Sequence, residues 1–392
     1  MKNTLKKITA TILSTAVIAG SASGASASAV QSAQNQPLLI GTGIVETIKD
    51  LFSEFTEFFT GFGPVETSVG INVEKGQVCE NLNPFDSAHA STLVKLNDGR
   101  IISAWFGGSG EGGDDVRIRY AIYDGNSWGE VKEIETTDNV AHWNPVLENC
   151  GTYVRLYYKV GVDTKCWITK YVDSFDNGTT WTAPAELVEG DTSGGRGPVK
   201  NKNLITSDGV IIAPASTEQG DWKAFFDIST DGGQTWTKTD YVEAVDENGD
   251  LVQMIQPTLW EDKEGGIHAM FRTNSGRRYR SDSIDGGYTW CPAYATELKN
   301  NNSGIDCVMT DNGWLWLAYN PIGINGFRNR LVLAVSQDNG ETWEDVTVLE
   351  STFINPFAEY SYPSIVEDGN EIYITYTYNR NHINYAFVEF EG

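Results

Sequence analysis

Hydrophobic and polar positions fall into two textures along the chain. Val45, Ile48, Phe52, Phe55 and Phe59 recur at helical spacing, with Leu51 and Phe58 beside them and Glu46, Lys49, Asp50, Glu54 and Glu57 between. Apolar residues three and four apart make one face of an α-helix, so one amphipathic helix is expected here, packed on the remaining chain or on a partner. Its acidic polar face disfavours a membrane surface. From about residue 66 onward the pattern shortens. Arg100 to Phe106, Tyr153 to Val160, Val210 to Pro214, Trp314 to Tyr319 and Glu371 to Tyr378 are brief runs of β-branched and aromatic residues, punctuated by Asp-Gly, Asn-Gly and Gly-Gly turns. They predict strands, and no helical pattern of useful length follows. Ahead of the helix, Lys2, Lys6 and Lys7 precede an apolar run from Ile8 to Ile18 and a small-residue site at Ala27-Ser28-Ala29. That is the form of a secretory signal. The expected layout is a signal peptide at 1–29, a linker and helix at 30–65, and an all-β domain at 66–392. No later run is long enough to cross a membrane, so an exported, soluble product is expected.

The strands are organised by a repeated octet. Ser174 to Trp181, Ser229 to Trp236, Ser283 to Trp290 and Ser336 to Trp343 share the frame Ser-x-Asp-x-Gly-x-Thr-Trp. A shortened copy runs from Tyr123 to Trp128. The period is about 53 residues, close to that of a propeller blade. The residue types explain a hairpin turn: Asp and Ser bond nearby backbone N–H groups, Gly supplies positive φ, and Thr-Trp starts the next strand. A blade cannot bury its faces alone, so blades must stack into a ring. The domain length allows six, the last combining C-terminal strands with one from the N-terminal side.

The octet resembles the Asp-box, the repeat of bacterial neuraminidases, and the chain resembles the sialidase superfamily over roughly residues 80 to 390. That resemblance implies a six-bladed β-propeller whose boxes lie away from the catalytic mouth. Gly197-Pro198-Val199 with Gly209 to Pro214 resembles the family's Gly-Pro-Gly segment and following strand. Arg272 and Arg328 resemble its second and third arginines. Tyr360-Ser361 resembles the Tyr-Ser that carries the catalytic tyrosine, and Asp114 or Asp115 falls where the acid/base aspartate precedes the first box. The departures are specific. His89, in Ala88-His89-Ala90-Ser91-Thr92, stands where the first arginine is expected, and Gln256 stands where a glutamate activates the tyrosine. The His-Ala-Ser-Thr opening and the run from Phe106 to Gly112, which contains Glu111, are similar to a divergent sialidase-like branch.

Charge narrows the substrate. With 28 Lys and Arg against 53 Asp and Glu, the net charge is -25, which argues against nucleic acid and anionic membrane as partners. An acidic sugar then needs a local basic pocket. Arg196, Lys200 and Lys202 concentrate positive charge in one loop, and His142-Trp143-Asn144-Pro145 and Asn300 to Asp306 are polar beyond the needs of packing. The expectation is a glycan substrate with no cofactor or metal. Tyr360, Asp115 or Asp114 and His89 would act in catalysis. Arg272, Arg328, Gln256, Glu111, Arg196, Lys200, Lys202 and Asn144 would bind. Removal of a terminal acidic sugar fits best, since a tyrosine nucleophile avoids the repulsion a carboxylate would meet beside a sugar carboxylate. A uronate lyase and a non-catalytic glycan-binding propeller are the alternatives. The odd count of five Cys leaves pairings open; Cys150 with Cys166 and Cys291 with Cys307 could each lie within one blade.

Overall fold

The computed structural model describes residues 65–79 and 87–392. The signal peptide and the amphipathic helix expected from the sequence lie outside the described residues. Those described form six antiparallel sheets of four strands each. No helix occurs among them, hence none that could cross a membrane. The innermost strands are Ser87–Lys95, His142–Asn149, Leu204–Ile205, Met254–Glu261, Asp306–Met309 and Tyr360–Asp368. Each blade runs outward in sequence order except the sixth. There Ile71–Gln77 pairs with His382–Phe390, so an N-terminal strand becomes the outer edge of a C-terminal blade. This is the closure expected from the repeat count. It ties the two ends of the propeller together with a seven-pair ladder from Ile71↔Phe390 to Gln77↔Asn384.

The core lies between blades. Ile102, Phe106 and Ile118 of blade 1 pack against Leu147, Leu156 and Val172 of blade 2. Ile212 and Phe226 of blade 3 meet Leu259 and Phe271 of blade 4. Trp316 and Leu333 of blade 5 meet Ile365 and Ile374 of blade 6. Middle strands are covered on both faces, which is why Ile211–Thr217 reads as a continuous run without alternation.

The boxes lie at the ends of the third strands and staple each blade to the one before. In each, the Ser hydroxyl donates to the Asp carboxylate at 2.7–2.8 Å and accepts from the Gly N–H at 2.8–2.9 Å. The Asp also accepts from the Thr backbone N–H and the Thr hydroxyl. The residue after Asp has positive φ in all four, as Asn177, Gly232, Gly286 and Asn339, which explains the choice of Asn or Gly there. The next Gly touches the preceding blade: a Cβ on Gly287 would stand 2.5 Å from Ile212, and one on Gly178 2.6 Å from Ile102. Trp290 stacks on Phe226 of blade 3 at 4.1 Å.

None of the five Cys is paired. Cys150 sits in the turn after the innermost strand of blade 2, whereas Cys166 lies in the hairpin at the opposite end of that blade, so a bridge would have to span the sheet.

Candidate active site

The third strands begin at one face of the ring and end in the boxes at the other. The first face carries the starts of the innermost strands and the hairpins between second and third strands. Its backbone is built from one repeated irregularity. The innermost strands of blades 1, 2, 4 and 6 carry register shifts at His89/Thr92, Trp143/Val146, Ile255/Thr258 and Ser361/Ser364. At each bulge one non-glycine residue has positive φ: Ala90, Asn144, Gln256 and Tyr362. Three of these precede a proline, whose missing N–H is harmless where the ladder is already broken. Such backbone costs about 1–3 kcal/mol per residue and persists only where its surroundings enforce it.

Those surroundings are polar and buried. Lys200, fully buried, donates to Asn201 Oδ1 at 2.8 Å, to Ile305 O at 3.1 Å and to Pro363 O. Asn201 Nδ2 donates to Gln256 O and Pro257 O. Lys202 reaches Asp306, which also accepts from Thr258 and from the Ile365 N–H. Blade 3 thus sends side chains across the axis to pin blades 4, 5 and 6. Burial pushes the Lys200 pKa down to about 7. The predicted basic pocket is therefore an internal brace. Arg196 is likewise committed, to the fully buried Asp227 and to Trp236 O. In so acidic a chain these cations found internal counter-ions and carbonyls, and their protons are spent on them. Asn144 also spends its amide on a backbone carbonyl, Val199 O, at 3.0 Å.

Above this brace, residues from four blades meet around Tyr362. Arg272 Nη1 donates to the Tyr362 hydroxyl at 2.7 Å and to Gln256 Oε1 at 2.9 Å, and its Nε donates to Asn302 Oδ1 at 2.9 Å. Gln256 Nε2 makes a longer 3.4 Å contact to the same hydroxyl. Arg328 lies 5.7 Å from the Tyr362 ring centre and donates to Asn302 O and to Glu359 Oε1. Asn302 therefore bridges two guanidiniums on one side of one phenol. Arg380, in the hairpin between the second and third strands of blade 6, donates to Glu359 at 2.9 Å and to Glu111. Burial works against ionisation of Glu359, but its neighbours His89, Arg328 and Arg380 outweigh it and lower its pKa. Arg328 and Arg380 thus share the carboxylates Glu359 and Glu111, whereas among the described residues Arg272 hydrogen-bonds only to the neutral Tyr362, Gln256 and Asn302.

His89 closes the floor, its ring 4.3 Å from that of Tyr362. It is fully buried, and burial, reinforced by Arg380, holds its pKa well below 6.5. Arg380 Nη2 is 3.3 Å from Nε2 and can only donate, so Nε2 accepts and the proton sits on Nδ1, toward Thr377 Oγ1 at 2.9 Å. His89 is a neutral imidazole with a lone pair on the side of the arginines.

Tyr360 is not in this cluster. It packs on Tyr378 at 5.0 Å within the core between blades 5 and 6, and burial raises its pKa. The bulge at Ser361/Ser364 and the positive φ of Tyr362 turn the chain between the two tyrosines, so the later one faces the axis. Asp115 bends back into its own loop, accepting from the Ser109 N–H and hydroxyl, which lower its pKa. Asp114 is exposed beside it.

Residues 99–374 match the model of the BNR repeat-like domain. The chain belongs to that family. Among solved structures it is similar to a protein of unknown function from Dyadobacter fermentans (16% identity, TM-score 0.67, covering 82% of this chain and 100% of that one). It is also similar to the Hadza microbial sialidase Hz136 (16%, 0.64, 77% and 66%) and to the Trypanosoma rangeli sialidase in complex with the inhibitor DANA (16%, 0.60, 82% and 60%). At this identity the likeness is one of fold, and the chain spans about two thirds or less of the two sialidases. No curated protein matches the sequence.

The structure thus brings His89, Gln256, Arg272, Arg328 and Glu111 of the sequence-derived set to one mouth and leaves Tyr360, Arg196 and Lys202 outside it. Sequence reasoning missed Tyr362, Glu359 and Arg380, and reached Asn302 only within the polar stretch from Asn300 to Asp306. One signal was available for Tyr362: Asn144-Pro145, Gln256-Pro257 and Tyr362-Pro363 recur at roughly two box periods. Arg380 follows the last box by an entire hairpin and carries no motif.

Proposed function

We propose that this protein is an exported glycoside hydrolase that removes a terminal sugar bearing a carboxylate, with Tyr362 as nucleophile. The observation that carries the reading is the pair Arg272 and Arg328, bridged by Asn302, with Arg272 on the hydroxyl of Tyr362 and Arg328 beside its ring. Guanidiniums in that arrangement suit a carboxylate bidentately. A neutral phenol can approach an anomeric carbon next to that carboxylate where an anionic nucleophile would be repelled. As the Tyr362 oxygen attacks, its proton passes to the neutral His89 by way of a water, since the two rings touch without a direct hydrogen bond. Arg380 and Thr377 set the orientation and tautomer of His89. The test is incubation of the purified chain with sialyl, uronyl and rhamnosyl glycans, with mass detection, beside Tyr362→Phe. Free acidic sugar formed by wild type and lost in the variant supports the reading; wild type releasing no sugar sinks it.

One observation favours a second reading. Gln256 supplies an amide where a tyrosine activator would be a carboxylate, and His89 is already a neutral base. A uronate lyase uses that combination: His89 takes the proton next to a carboxylate that the arginines neutralise, and no nucleophile needs activation. Its product is unsaturated, absorbs in the ultraviolet, and is lighter by one water than the hydrolytic fragment.

A further inference from the structure

Hydrolysis of a glycoside needs a proton for the leaving oxygen, and the carboxyl groups of the mouth differ sharply in their capacity to supply it. Glu359 is locked between Arg328 and Arg380 and is ionised. Glu111 is paired with Arg380. Asp115 is tied to Ser109 in its own turn. Glu218 is different. It opens the hairpin between Ile211–Thr217 and Lys223–Ser229, on the same face as the bulges. That hairpin is fixed to the site at both ends. Ser216 Oγ accepts from the Gln256 N–H at 3.2 Å, and Trp222 lies 5.3 Å from the Arg272 guanidinium. Thr164, from the equivalent hairpin of blade 2, donates to Glu218 Oε2 at 3.2 Å. Oε1 has no hydrogen-bond partner among the described residues, and Glu218 is in no ion pair there.

We infer that Glu218 is the proton donor to the leaving group, an assignment that rests on the hydrolase reading above. When Tyr362 bonds to the anomeric carbon, the glycosidic C–O bond breaks. The proton on Glu218 goes to the departing oxygen, which leaves as an alcohol. The carboxylate left behind takes a proton from the water that then attacks the same carbon and displaces Tyr362. Tyr362 recovers its own proton from His89, so the chain returns to its starting state. Burial raises the Glu218 pKa, which favours the protonated starting form; Arg272 acts against this and Glu111 with it.

The experiment compares wild type and Glu218→Gln on methyl and 4-nitrophenyl glycosides of N-acetylneuraminic acid and glucuronic acid. A methoxide leaving group needs the proton and a nitrophenolate does not. The variant should lose about a hundredfold or more in kcat/KM on the methyl glycosides and stay within about tenfold of wild type in kcat/KM on the 4-nitrophenyl ones, because kcat/KM stops at formation of the Tyr362 intermediate and leaves out the shared step in which Glu218 acts as base. Thermal melting checks folding; Gln keeps an oxygen for Thr164. Equal losses on both leaving groups mean a structural role and overturn the assignment, as does no loss on either. Asp114→Asn and Asp115→Asn run in parallel, and leaving-group-selective loss in either of those variants instead also overturns it. A wild type inactive on every glycoside removes the hydrolase reading and the acid with it.

Discussion

The box face and the mouth each repeat a feature in four of the six blades, and they differ in what is repeated. In the boxes the side chains recur with the backbone: four Ser, Asp and Thr sets repeat the same bonds within about 0.2 Å. In the mouth only the backbone recurs. Four bulges share positive φ, yet they present Ala90, Asn144, Gln256 and Tyr362. Repetition of residues marks a shared structural duty, here holding each blade to its neighbour. Repetition of a strained backbone under changing side chains marks a platform on which each blade contributes a different group.

The sharpest way to break this comparison is at the two tyrosines. Tyr362→Phe should cost about a thousandfold or more in turnover, while Tyr360→Phe stays within about threefold. Initial rates on the substrate that wild type cleaves decide it, and equal effects would mean that the bulge does not select the nucleophile. The converse applies to the boxes. Trp290→Ala, removing the ring stacked on Phe226, should lower stability by about 3 kcal/mol and leave kcat/KM per folded molecule unchanged. Denaturant unfolding with parallel assays checks both halves.

A smaller effect comes with acid. His89 is held well below 6.5 by burial, and burial followed by Arg117 lowers His142 to about 4. Unfolded, both protonate near pH ~6.5. The unfolded chain therefore takes up protons first, so stability is full above that pH and falls as pH drops from about 6.5 toward about 4. Urea midpoints that stay flat over that window would show that both histidines titrate normally. The smallest change is the most discriminating. Gln256→Glu places a carboxylate beside the Tyr362 hydroxyl. If Tyr362 attacks, the rate should rise by a few-fold, about 1 kcal/mol or less in barrier; if the chain is a lyase, it should not rise.

The legibility of the chain followed the same division. Blade number, ring closure and the role of the boxes could be read because each box is satisfied by bonds spanning four residues or fewer. Arg272, Arg328 and His89 were legible as positions relative to those boxes. The tyrosine that meets the arginines stands two residues beyond the one the motif pointed to, since a bulge reverses which side chain faces the axis and leaves no compositional trace. Arg196, Lys200 and Lys202 were misread because charge in a loop does not reveal its counter-ion. Asp227 and Asp306, which bind Arg196 and Lys202, stand 31 and 104 residues further along.

The sequence by itself determined the propeller: local hydrogen bonds in the boxes and alternating strand texture specify blades wherever they occur. The tertiary structure alone decided which residues share the mouth. Arg380 reaches His89 across 291 positions and Arg272 reaches Tyr362 across 90. Those meetings depend on ring closure by the strand Ile71–Gln77 and on buried Lys200 and Asn201 holding strained backbone in place. Both are long-range constraints whose effect on a side chain's direction exists only once the ring has formed.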